Sequence, residues 1–142
     1  MEILFPGSVT NSPQNIVTSF STNSENGGKV YISGNNEGLL SAVTSHKIDA
    51  VSGNLAVLSQ GFGAQGLSAT QTFGGPLTIA MLYDQDNDVV GTTDQTIREI
   101  FSTAGPITTG EGTFVLKAKT STVTPAAGDY SELLTVIASG SF

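Results

Sequence analysis

Hydrophobic and polar positions alternate with period two along several short stretches of this chain, the pattern of half-buried β-strands. Ile16, Thr18 and Phe20 share one side of residues 15–21, and Val30 and Ile32 share one side of residues 29–33. Asn26-Gly27-Gly28 and Gly34-Asn35-Asn36-Glu37-Gly38 supply turn chemistry after each, so the two strands have hairpin spacing. Residues 39–43 and 46–51 are short enough for edge strands, and 55–58 follows the turn Ser52-Gly53-Asn54. Residues 60–75 are rich in glycine and read as a loop with one short strand near 67–73. Leu77, Ile79, Met81 and Tyr83 share a face of residues 76–83, which predicts a central strand. In residues 112–120, Phe114, Leu116 and Ala118 point one way, and Lys117 and Lys119 point to solvent. In residues 129–139 both faces are apolar, Leu134, Val136 and Ala138 against Leu133, Thr135 and Ile137, which predicts a buried central strand.

One segment departs from period two. Ile97, Ile100 and Phe101 stand at i, i+3 and i+4, with Thr93 or Asp94 ready to cap and Gly105-Pro106 to terminate. That spacing predicts one short helix over residues 94–102. The expected fold is all-β: an immunoglobulin-like or jelly-roll β-sandwich of about seven to nine strands plus that helix. Residues 1–14 are expected to form an N-terminal arm, and residues 15–142 the sandwich domain.

Composition narrows the function. The chain of 142 residues has 5 Lys+Arg against 12 Asp+Glu, a net charge of -7. Nucleic acid and anionic membrane surfaces need a basic footprint, so neither is an expected partner. No cysteine and one histidine exclude disulfides, thiolate metal sites, iron–sulfur clusters and multi-histidine zinc sites within one chain. No stretch approaches the roughly 18 apolar residues of a membrane span, and residues 1–7 lack a signal peptide's basic and apolar regions. Only 12% of residues are charged, while Ser and Thr make up about a quarter of the chain. An average domain carries roughly 25% charge. Such a surface suits close packing against further copies.

Candidate chemistry is sparse. Asp84, Asp86 and Asp88 alternate in an acidic turn and could wrap a calcium ion with oxygen ligands. An EF-hand would need Gly and Glu where Val89 and Gln95 stand, so only a looser calcium site is conceivable. Ser45, His46 and Asp49 hold the residue types of a catalytic triad. Neighbours on a strand point to opposite faces, so Ser45 and His46 are not expected to meet, and His46 is expected to be exposed on an edge strand. Gly61-Phe62-Gly63-Ala64-Gln65-Gly66 fits a dinucleotide fingerprint but opens no helix and has no βαβ context. No catalytic residue and no organic cofactor are expected.

Two segments carry a resemblance. Thr124-Pro125-Ala126-Ala127-Gly128-Asp129-Tyr130-Ser131-Glu132-Leu133-Leu134-Thr135-Val136 resembles the closing strand of spore-coat-U-like and archaic chaperone–usher pilin domains. Residues 29–40 are similar to the early hairpin of those domains. An extra Ala between Pro125 and Gly128, the missing cysteine pair and the segment 94–102 depart from that pattern. The resemblance implies an extracellular fibre subunit that lacks one strand and receives it from a neighbour. An open sheet edge has unpaired N–H and C=O groups, which an added strand satisfies. On that expectation Ile3, Phe5, Val9, Ile16 and Phe20 are the candidate polymerisation residues, and identical subunits are the partners. The expected role is thus a non-enzymatic structural subunit of a cell-surface filament or pilus-like homopolymer. A virion structural protein and a monomeric sugar- or calcium-binding module are the alternatives.

Overall fold

The computed structural model describes residues 7–121 and 129–140. Among them no helix is present, and thirteen strands follow in order: β1 (Val9–Asn11), β2 (Ile16–Thr22), β3 (Gly28–Gly34), β4 (Gly38–Leu40), β5 (Lys47–Asp49), β6 (Gly53–Asn54), β7 (Gly61–Thr70), β8 (Phe73–Gly74), β9 (Thr78–Ile79), β10 (Val89–Val90), β11 (Arg98–Thr103), β12 (Ile107–Lys119) and β13 (Leu134–Gly140). The fold is all-β, and every paired strand in it runs antiparallel to its partner.

Two sheets dominate. In the first, the long strand β12 is flanked by β1 and β2 on one side and by β7 and β8 on the other. In the second the order is β13-β3-β11-β9. Their inner faces share one apolar core: Val30, Ile32, Ile100 and Phe101 from the second sheet meet Ala64, Ile107 and Phe114 from the first. The rings of Phe101 and Phe114 stack tilted at 6.4 Å between centroids. Burying each such side chain contributes about 1.5–3 kcal/mol. A satellite core of Leu39, Ile48, Phe62, Ala118 and Tyr130 lies under the small β4/β5 sheet.

The alternation of β2 and β3 is as expected, but they do not form a hairpin. Each joins a different sheet, and the turn between them crosses from one layer to the other. Gly27 makes that crossing with φ 74, at a point where a Cβ would collide with the Thr103 carbonyl. Only a residue without a side chain fits there.

Residues 94–102 are not a helix. The segment is a turn followed by β11, with Asp94 accepting the Thr96 N–H at 3.1 Å. A register shift between Glu99 and Phe101 places a β-bulge at Ile100. The bulge lets Ile100 and Phe101, adjacent in sequence, both reach full burial. Two consecutive inward residues mimic the helical spacing.

Residues 60–75 are not a loop. β7 runs beside β12 over Gly61–Thr70. Its glycines make room for neighbouring segments: a Cβ on Gly63 would lie 2.6 Å from Val90 Cγ2, one on Gly61 2.5 Å from Val51 Cγ2 and one on Gly66 2.5 Å from Ile79 Cγ2. Conversely, the expected strand over 76–83 is only β9, two residues long. The chain then turns, the Tyr83 and Asp84 N–H groups donating to the Ala80 carbonyl at 2.9 Å, so Met81 is thrown out to 86% exposure while Tyr83 is buried. Residues 55–58 also form turns, with Leu55 buried.

β13 is not central. It is the edge of its sheet, and six of its seven residues are exposed. Its apolar character reflects the absence of a covering layer rather than double burial.

Candidate functional site

The open side of the molecule runs between β2, the free edge of one sheet, and β13, the free edge of the other. A groove of about 590 Å3 separates their far ends, lined by Phe20, Thr22 and Asn23 on one side and Ala138, Ser139 and Gly140 on the other. At the opposite end a smaller cavity of about 150 Å3 lies between Ser12 and Pro13 and Ser131 and Glu132. The low-numbered ends face each other, as do the high-numbered ends. β2 and β13 therefore run in the same direction along the seam. Between the two cavities, Ile16, Phe20 and Leu134 pack on the main core.

Residues 12–23 and 133–140 contain no Asp, Glu, Lys or Arg, so the seam is a neutral strip on a chain of net charge -7. Among the described residues no strand pairs with the outer side of β2 or of β13. Backbone groups there face solvent or an incoming chain.

The start of β13 is held firmly. Asp129 accepts the Ser41 hydroxyl at 2.6 Å and the Val43 N–H at 3.1 Å. The Ser41 hydrogen bond, with that backbone N–H, holds the Asp129 carboxyl below the usual carboxylate range. Tyr130 is buried and meets the His46 ring edge-on at 6.3 Å. Ser131 and Leu40 exchange both backbone hydrogen bonds, at 2.9 and 3.0 Å. The Glu132 carboxylate accepts the N–H groups of Asn36, Gly38 and Leu133 at 2.9–3.1 Å. The tight turns before β4 thus find their acceptor in a residue almost a hundred positions away. Nothing in the local sequence pattern of residues 34–38 signals it.

The expected polymerisation residues divide. Val9 lies in β1 opposite Lys119, and the Gly7 N–H donates to the Thr120 carbonyl at 2.8 Å. Ile16 and Phe20 lie in β2 and pack on the core. From Gly7 on, the N-terminal chain is built into the sheet, so the arm does not extend to residue 14. Val9, Ile16 and Phe20 thus lie in the strands beside the seam, while Ile3 and Phe5 lie outside the described residues.

The acidic turn is held from within. Asp84 and Asp86 are exposed, and Asp88 pairs with Lys117 at 3.4 Å. Lys117 also donates to the Asn87 carbonyl at 2.5 Å, and the Gln65 amide donates to the Asn87 and Val89 carbonyls at 3.0 and 2.9 Å. Lys117 is therefore buried, not on a solvent face: the segment 84–91 covers that part of β12. Among the described residues, no group of three or more His, Cys, Asp and Glu side chains is placed to hold a metal ion.

Ser45, His46 and Asp49 are not joined. Ser45 occupies a turn with φ 60, half-buried His46 rests on Tyr130, and Asp49 pairs with Lys47 at 3.5 Å. The stretch Gly61 to Gly66 is buried strand with no helix after it.

The other long side of the molecule is closed. The Tyr83 carbonyl accepts the Gly66 N–H at 2.8 Å, and Gly91 exchanges backbone hydrogen bonds with Ala64. Tyr83 itself is fully buried, donates its hydroxyl to the Thr92 carbonyl at 2.7 Å, and has its pKa pushed up to about 12 by burial. Nearby, Arg98 grips Asp94 with two hydrogen bonds of 3.0 and 2.8 Å. That contact lowers the Asp94 pKa and raises the Arg98 pKa. No helix among the described residues is long and apolar enough to cross a membrane. No family model, curated protein or solved structure matches the chain.

Proposed function

We propose that the chain is a structural subunit that associates with further copies by strand pairing along its open side. The two facing sheets fit an immunoglobulin-like or jelly-roll sandwich, and an extracellular filament or pilus-like fibre is the setting that such pairing serves. The observation that carries the reading is the seam itself: two parallel-running, uncharged free edges with a 590 Å3 groove between them. A strand entering the seam would satisfy exposed backbone groups and cover Phe20 and Val136 in one step. Burial and backbone hydrogen bonding do the work, with no chemical step.

The test is sedimentation and electron microscopy of the full chain beside a chain lacking residues 1–6. Polymers lost on truncation would identify the N-terminal segment as the donated strand. Polymers that persist would place the pairing in the edges of the domain. A chain that stays monomeric at all concentrations overturns the proposal.

A further inference from the structure

We infer that the partner at the open side is the same strand of a second copy: β13 pairs antiparallel with β13 about a two-fold axis, joining two four-stranded sheets into one of eight. This rests on the self-association reading above and specifies one contact of it: a two-fold contact closes at a dimer, and a fibre would be built from such dimers through a second contact.

The first argument is that β13 is unguarded. Natural sheets blunt their edges with short strands, lysines, prolines, bulges or covering segments. β9, at the other end of the same sheet, is two residues long. The β7 edge is covered by Tyr83 and Gly91. The β1/β2 edge is interrupted at Pro13. β2 is as long and as uncharged, but its pairing with β12 shifts register between Ile107 and Gly110; among the described edges β13 runs seven residues in unbroken register, with no charge, no proline and no bulge.

The second argument is self-complementarity. Two identical strands related by a two-fold axis run antiparallel, and each contact is made twice. Apolar side chains flank this edge on both faces of the sheet: Val136 is 41% exposed on the inner face, and Ile137 is 42% exposed on the outer. Each would meet its counterpart or a diagonal neighbour across the axis.

The third argument is charge. Two copies of net charge -7 repel, and the repulsion is least where neither presents a carboxylate. Residues 133–140 are such a place.

The chain has no cysteine, so a single engineered one is unique. The experiment uses the full chain with Thr135→Cys, Val136→Cys, Ile137→Cys or Ala138→Cys, oxidised at rising concentration, with Met81→Cys, exposed on the closed side, as control. Sedimentation is followed in parallel on the unmodified chain and on Ile137→Lys. The expected result is a disulfide-linked dimer whose rate peaks at one or two adjacent β13 positions, about tenfold above Met81→Cys. Ile137→Lys sets two ammonium groups near the axis and is expected to weaken association about tenfold or more with unchanged circular dichroism. If the chain self-associates but the β13 cysteines do not crosslink above the control and Ile137→Lys has no effect, this inference is overturned while self-association stands. If the chain sediments as a monomer throughout, both fall.

Discussion

On the β7/β9 side of the molecule, residues 80–91 cross from one sheet to the other and fill the gap, with Tyr83 buried and Gly91 bonded to the β7 edge. On the β2/β13 side nothing among the described residues does so, and a groove remains. The same two sheets thus end in opposite ways. The closed side is sealed by a fully buried tyrosine, several glycines and a buried lysine, whereas Phe20 at the open side is only half-buried. Burial is therefore more complete on the closed side, and strand edges on the open side stay unpaired among the described residues.

The largest test of that contrast is Tyr83→Ala. It removes a fully buried ring packed on Gly91 and should cost about 3–5 kcal/mol in denaturant unfolding. A loss below about 1 kcal/mol would mean that the closed side does not carry the fold. Next in size is alkaline pH. The Tyr83 pKa is raised from 10.0 to about 12, so its contribution is complete below pH 10 and is lost as pH rises towards 12. That amounts to about 2–3 kcal/mol. Tyr83→Phe should lose about 1 kcal/mol at neutral pH, for the hydrogen bond to Thr92, and should abolish this part of the alkaline loss.

A smaller effect is expected for Lys117→Met. Removing one partner of a fully buried ion pair costs about 3–5 kcal/mol. Here the Asp88 side chain is 37% exposed and can turn to water, and the Asn87 carbonyl keeps its bond from Gln65. A loss of about 1–2 kcal/mol in thermal or urea unfolding is expected. The smallest effect belongs to the open side. Val136→Ala should change monomer stability by no more than about 0.5 kcal/mol, yet weaken self-association measured by sedimentation. A monomer effect as large as that of Tyr83→Ala would erase the distinction between the two sides.

Much of the fold could be read from period two wherever a strand buries one face only. β2, β3 and the Phe114–Leu116–Ala118 side of β12 follow that rule, because one side of each looks into a core. The pattern failed where a third layer or a bulge intervened. Gly61, Gly63 and Gly66 look like loop residues, but they clear space for segments packed against β7. Ile100 and Phe101 look helical because a bulge turns both inward. For β13 the failure was of another kind. Apolar residues on both faces can mean burial by two layers or an edge awaiting a partner, and one chain's sequence does not distinguish them. A free sheet edge was therefore anticipated, but not which strands form it. Val9 is built into β1 and Ile16 and Phe20 into β2, and Glu132 gave no local signal.

The Glu132 clamp has a consequence for motion. Leu134 enters β13 directly from a segment fixed by Tyr130, Ser131 and Glu132, whereas Gly140 at the far end is exposed. Rungs near the clamp can open only if the clamp yields, and rungs near Gly140 can open alone. The β13 amides that face β3, at Thr135, Ile137 and Ser139, should therefore exchange with deuterium in a gradient, fastest at Ser139 and slowest at Thr135, as a zipper with one fixed end does. A strand anchored at one end in this way can open rung by rung from its free end while the rest of the fold stays closed.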